Sequence, residues 1–429
     1  MRAGIAAAVL VVGIAAPAAW AEDIHVPGDF RRLRDALAAA APGDRILLED
    51  GVHRGPFVVT TSDIVIQGDG GRIVQGARAL RSRSAEADAA IVVRADRVTL
   101  KSLDLLRGGI RVEGDDVRVQ FCHVERFSDR RHAAVGIEVT GARASVLGNQ
   151  LLGGRWAFHG VRITGPDAFV SRMTILDGPG GRGIEVNGDG ARVVDNRFQQ
   201  AVGEEAIVVE GMLPLVEANF IRYDEGQAGA ILVTGDGATI RDNEIEADRL
   251  DGSAIHVEGD DALVEDNEAV ADGATAILVR GDRNRILVNV TMGNPNRFFS
   301  ETAFRFGHGI SVRGSDNLLS GNRLYSSPAD SIRILGGATN TIDDCQSYSA
   351  GACGLLNVSQ DSVVTGSQFT SSSIDVFNGG SFALFDTTWF NSGGVAPQPF
   401  GGGTELEDDL GILVDALPGG SPIRIRGSD

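Results

Sequence analysis

The 429-residue chain is almost without lysine: Lys101 stands alone among 39 basic residues, so a lysine-based mechanism would have one place to find its base. Cysteine is as scarce. Cys122, Cys345 and Cys353 are too few for a disulfide scaffold. Cys345 and Cys353 are near enough in sequence to pair in an oxidising compartment, and Cys122 reads as a small buried apolar residue. Four methionines and seven scattered histidines give no copper-type cluster. Positive charge is short overall, and a net charge of −19 excludes the broad basic face of a nucleic-acid binder. Long apolar runs are missing after the first 21 residues, so no later segment reaches the roughly 18–20 residues a membrane helix needs. That first stretch, MRAGIAAAVLVVGIAAPAAWA, has an early arginine, an apolar run and an Ala-x-Ala end. It reads as a secretory signal cut after Ala21, which predicts a periplasmic or secreted protein.

What is present is a repeat. Ile110, Ile137, Val161, Ile184, Ile207, Ile231, Ile255, Ile277, Ile310 and Ile332 each begin the same pattern. The residue two later is again apolar, and Gly follows four after the mark in all ten. Alternation of this kind is a strand with one buried face. The Gly suits a turn that needs positive φ. Twelve residues after the mark comes Asn149, Asn196, Asn219, Asn243, Asn267, Asn289 or Asn322, which predicts an Asn column bonded from coil to coil. Marks are mostly 22–24 residues apart, with longer intervals before Ile137 and Ile310. A unit of this length with short strands and no helix predicts one coil of a parallel β-helix, because no coil can bury its apolar face alone.

The expected architecture is therefore all-β: a single-stranded right-handed parallel β-helix of about 12–13 coils. Residues 1–21 form the signal, 22–392 the β-helix, and 393–429 a Gly/Pro-rich linker and C-terminal capping segment. Asp29 is the expected N-cap of an amphipathic capping helix with Phe30, Leu33 and Leu37 on one face, ended by Pro42-Gly43.

The opening IHVPGDFRRLRDALAAAAPGDRILLEDGVHRG, with the GIxVxG…N coils, resembles the right-handed parallel β-helix superfamily of pectin-lyase-like proteins over roughly residues 24–390. The resemblance implies the fold. For function it implies only a range of polysaccharide lyases, hydrolases, epimerases, tailspikes and accessory proteins. The polygalacturonase pattern is met in order by Asp260-Asp261, Gly307-His308-Gly309 and Arg333-Ile334, but Leu335 holds the lysine position and the glycines belong to the repeat.

Residues at one register stack in adjacent coils, about 4.8 Å apart. The column two before the mark brings His159, Arg182 and Glu205 together, and the next outward column holds Arg111, Glu138, Arg162 and Glu185. A base beside guanidinium groups suits a uronate, whose carboxylate must be held while a proton leaves C5. His159, Arg182 and Glu205 are thus the candidate catalytic set, with Arg162 and the aromatic Trp156 as substrate contacts. The two long intervals form loops before the mark strand, whose Arg130 and His132, and Arg297, Phe298 and Arg305, are further candidate sugar contacts. Asp236, Asp260 and Asp282 share a turn register, where Ca²⁺ with oxygen ligands would relieve their repulsion. The expected partner is an acidic polysaccharide, and the expected state a monomer. The expected role is binding or modification of that polymer, as a uronate lyase or C5-epimerase. The alternative is a non-catalytic carbohydrate-binding or accessory β-helix, and a polygalacturonase-like hydrolase is the lesser one.

Overall fold

A computed structural model describes residues 21–75, 89–126, 135–153, 159–176, 181–199, 203–223, 229–247, 250, 252–271, 274–293, 307–327 and 329–371, and further strands between 374 and 426. It is the right-handed parallel β-helix the repeat predicts, at about 13 turns. Among the described residues, three parallel sheets run its length, of 15, 18 and 15 strands. One coil shows the plan. Arg182–Asn187 lies in sheet 1, which carries the marks; a turn through Gly188 leads to Arg192–Val194 in sheet 2; a tight corner at Asp195-Asn196 leads to Arg197–Gln199 in sheet 3. A longer connection then returns to sheet 1. Marks pair with marks without slippage: Ile110 with Ile137, Val161 with Ile184, Ile255 with Ile277. Every mark is at most 1% exposed, so the core is a stack of Ile, Val and Leu between the three sheets.

The glycine column has a second cause beside the positive φ that its composition suggests. Gly165, Gly211, Gly235, Gly281 and Gly314 have φ between 133° and 154°, but Gly114, Gly141, Gly188 and Gly259 lie outside that left-handed range. Their shared constraint is contact. A Cβ on Gly141, Gly188, Gly235 or Gly314 would stand 2.0–2.1 Å from the carbonyl oxygen of the column glycine one coil before. In the last repeat the stacked residue is Gly337, one later than the spacing predicts, with its site against Gly314. The true left-handed corners are made by other residues, Asp116, Asp195, Asp261 and Asp266 among them.

The Asn column forms as expected, at 0–1% exposure. Asn196, Asn219, Asn243, Asn267 and Asn289 each give Nδ2 to the Oδ1 of the next Asn at 2.9–3.1 Å. Each Oδ1 from Asn219 onward also accepts the preceding rung's backbone N–H. Cys122, Met173 and Cys345 are rungs of this same column, since their backbone N–H groups donate to Asn149, Asn196 and Ser367. All three cysteines are free and buried, so the Cys345–Cys353 pairing open to the sequence is not formed.

The N-terminal helix is Leu33–Ala39, shorter than its pattern, with Arg32 in place of Asp29 at the N-cap. Asp29 instead accepts the backbone N–H of His25 at 2.8 Å. Leu33, Ala36 and Leu37 are buried, and the helix packs on Asp23–Val26, Arg45–Leu48 and Phe57–Val59. Near the other end, Val395–Pro397, Thr404–Glu407 and Arg424–Arg426, within the stretch expected to be linker and cap, add strands to sheets 1 and 2.

Candidate functional site

Sheet 1 positions the candidate patch. His159 pairs in register with Arg182, and Arg162 with Glu185, so the two columns stand side by side on consecutive coils. Glu185 is the centre of the group. Its Oε1 accepts Arg182 Nη1 at 2.7 Å; its Oε2 lies 3.4 Å from His159 Nε2 and 3.5 Å from Arg162 Nε. The sequence placed Glu185 in the outward column without giving it this role; the alternation of Arg111, Glu138, Arg162 and Glu185 was the signal available. Arg182 Nε also reaches Glu204 and Glu205, at 3.4 and 3.5 Å. Glu205 therefore joins the patch through Arg182.

Exposure divides these residues. The side chains of His159 and Glu185 are 6% and 7% exposed, whereas Arg182 is 25% and Arg162 40% exposed. The imidazole is held from two sides. Its Nδ1 accepts the backbone N–H of Arg182 at 3.3 Å, which leaves the ring proton on Nε2, facing Glu185. Burial pushes the His159 pKa down, against the opposing pull of Glu185. The ring is a neutral strut beneath the guanidinium groups. Glu185 fixes the two arginines from below; Arg182 is held further by Glu204 and Glu205, and Arg162 is the more open of the two to an anion.

A second group occupies the same column further along. His308 is buried; Arg333 Nη1 lies 2.9 Å from its Nε2, and Asp330 Oδ2 lies 3.3 Å from its Nδ1. Asp330 also accepts the backbone N–H of Cys353 at 3.2 Å. Asp260 and Asp261 are far from this histidine. They follow the mark by five and six residues, and His308 precedes it by two, so sheet 1 separates them by roughly 20 Å at about 3.3 Å per residue. The polygalacturonase pattern is thus an order in sequence without a site in space.

The aspartate column is spent on backbone. Asp236, Asp260 and Asp282 each accept, through Oδ1, the N–H at the same register one coil on, at 2.7–2.8 Å. Arg283 lies against Asp260 and Asp261, at 3.2 and 2.8 Å. These residues do not fit a Ca²⁺ site, and no group of three His, Cys, Asp or Glu side chains able to hold a metal occurs among the described residues. Both long connections run from sheet 3 to sheet 1, as expected. Trp156, Arg130, His132, Arg297, Phe298 and Arg305 lie outside the described residues.

Residues 253–408 match the family model of the right handed beta helix region. No curated protein matches the chain. Among solved structures, it is similar to a PL6 alginate lyase in complex with a trisaccharide (11% identical, covering 90% of this chain and 85% of that one, TM-score 0.34). It is similar also to the periplasmic alginate epimerase AlgG (10% identical, 86% and 84% covered, TM-score 0.42). A third likeness is to the Siphovirus 9NA tailspike receptor binding domain (11% identical, 92% and 78% covered, TM-score 0.46). At these identities the likeness is one of fold.

Proposed function

We propose that this chain is an exported β-helix that binds an acidic polysaccharide across the Arg162/Arg182 face of sheet 1. The observation that carries the reading is the pair of partly exposed guanidinium groups fixed over one buried carboxylate, Glu185. Arg162 and Arg182 stand one coil and three register positions apart, but both side chains reach Glu185, which brings their guanidinium groups close enough to hold one uronate carboxylate or adjacent ones. Within the patch Glu185, Glu204 and Glu205 hold Arg182, which leaves Arg162 as its more open cation and the residue on which recognition would chiefly rest.

Binding takes precedence over lyase or C5-epimerase chemistry in this reading because of His159. A base needs a lone pair directed at substrate, and here Nδ1 is occupied by a backbone N–H while Nε2 faces Glu185. His159 is a positioning residue for the arginines, and Glu205 supports Arg182 from the next coil.

The test is calorimetric titration of the mature protein with oligomers of alginate and pectate, alongside ultraviolet detection of unsaturated uronate. Arg162→Ala should weaken binding about 10- to 100-fold, the worth of a charge-assisted hydrogen bond of about 1.5–3 kcal/mol. Absence of binding to every acidic oligomer would refute the proposal. An absorbance rise that His159→Ala abolishes would instead place lyase chemistry at this site.

A further inference from the structure

A concavity lies at the N-terminal end and is lined by none of the residues of the Arg162/Arg182 face. It has a volume of about 330 Å³ and is lined by Arg31, Arg32, Leu33, Arg34, Val52, His53, Arg54 and Phe57. Four of its eight lining residues are arginines, in a chain of net charge −19. Only Arg32 has an acidic partner among the described residues, Asp35 at 2.8 Å. Arg31, Arg34 and Arg54 are exposed and make no ion pair there. Elsewhere on this molecule arginines close on aspartates of neighbouring coils, as Arg97 does on Asp63, Arg143 on Asp116 and Arg283 on Asp261. Other arginines, Arg285, Arg313 and Arg323 among them, also lack an ion pair among the described residues; the cleft differs in gathering three of these in one place.

Its walls are of two kinds. Leu33 and Phe57 are buried and form apolar backing, while Val52 is 59% exposed at the rim. Grouped like charges repel one another, and that repulsion is relieved when an anion enters. Guanidinium forks recognise oxyanions bidentately, and an apolar wall takes the C–H face of a sugar ring. The volume is at the lower end of the roughly 300–1,000 Å³ of small-molecule sites, which suits one or two sugar units better than a long chain.

We propose that this cleft is a separate binding site for a short anionic saccharide, its carboxylate or sulfate held by Arg31, Arg34 and Arg54 and its ring laid against Val52 and Phe57. The proposal does not depend on the face around Arg162. Carboxylated and sulfated sugars present the same oxyanion chemistry, so the experiment separates them.

The mature protein is titrated by calorimetry with digalacturonate, with a singly sulfated disaccharide and with neutral maltose. At least one acidic disaccharide should bind, maltose should not, and raised salt should weaken binding. Arg34→Ala with Arg54→Ala should reduce affinity at least 10-fold at an unchanged thermal midpoint, and Arg54→Lys alone should recover only part of it, because an ammonium cannot form the bidentate fork. Arg162→Ala should leave this binding intact. The proposal is overturned if neither acid binds at millimolar concentration, if maltose binds as well as the acids, or if the Arg34/Arg54 variant binds unchanged. Loss in Arg162→Ala alone would assign the binding to the sheet 1 face instead.

Discussion

Replacing Asn243 by Ala tests whether the buried Asn column holds the coils together. Four side-chain hydrogen bonds are lost. Oδ1 accepts the backbone N–H and the Nδ2 of Asn219 at 3.0 and 2.9 Å; Nδ2 donates to the carbonyl of Val216 and to Asn267 Oδ1 at 3.0 and 2.9 Å. The backbone bond from Asn243 N–H to Asn267 survives, so Asn267 keeps an acceptor contact. The N–H of Asn219 loses its partner at a site about 1% exposed, where water cannot replace it. At about 1 kcal/mol per net bond, with an added penalty for a buried unsatisfied donor, the expected loss is about 3–5 kcal/mol. Because a repeat array need not unfold in one step, the assay is amide hydrogen exchange, read coil by coil. Protection should fall most at Asn219 and its neighbours and little near residue 350. A uniform loss below about 1 kcal/mol, no larger than that of an exposed substitution, would refute the view that the column contributes more than van der Waals filling.

Three further outcomes follow from individual groups. His159 and His256 have pKa values held below the usual 6.5, chiefly by burial, so the unfolded chain takes up these protons first. Stability should therefore fall as pH drops below about 6.5 and level off below the folded values, and denaturation midpoints in the double variant His159→Gln/His256→Gln should show a flatter profile. His25 moves the other way, raised chiefly by its hydrogen bond to Glu49, so its contribution is full below about 6.5 and disappears as pH rises through the folded value; in Glu49→Gln, NMR titration of His25 should return towards the ordinary value. The thiols of Cys122, Cys345 and Cys353, pushed up by burial to about 12, 11 and 12, should resist alkylation at pH 8 in the native protein and react fully in denaturant, with no change in electrophoretic mobility on reduction.

The fold was legible because its causes are periodic. Ile184 to Ile207 to Ile231 is a fixed step, and each mark faces the core for the same reason as the one before. The site was legible only in part, since a register assigns neighbours but not directions. Column arithmetic put His159 beside Arg182 and Arg162 beside Glu185, and both pairings form. It could not show that Glu185 turns inward to collect three partners while Glu205 stays at the edge, because that depends on side-chain reach and burial. The glycine column was legible in part. Composition suggested a positive φ, which Gly165, Gly211, Gly235, Gly281, Gly314 and Gly336 have, and a second cause is a carbonyl of the previous coil that no sequence spacing displays. The basic cleft had no periodic signal at all. Arg31 and Arg54 are 23 residues apart and meet through the packing of one short helix on the first strands.

His159 and His308 show how one register can give opposite chemistry. Both stand two residues before a mark, and each meets the residues at the same two positions of the following coil: Arg182 and Glu185 for one, Asp330 and Arg333 for the other. The charges are exchanged between those positions. At His159 the carboxylate faces Nε2 and a backbone N–H faces Nδ1, which requires the ring proton on Nε2. At His308 the guanidinium faces Nε2 at 2.9 Å. Arginine remains protonated, so Nε2 must accept and the ring proton belongs on Nδ1, towards Asp330 Oδ2 at 3.3 Å. The backbone N–H of Asp330 also approaches Nδ1 at 3.3 Å and favours the other tautomer, but a neutral contact of that length is weaker than the charged one at 2.9 Å. Nitrogen-15 shifts of the two rings at pH 8 should therefore report opposite tautomers, and Arg333→Leu should move His308 to the form seen at His159. If both rings carry the proton on Nε2 in the unsubstituted protein, the exchange of charges does not govern this column, and the reading of His308 fails.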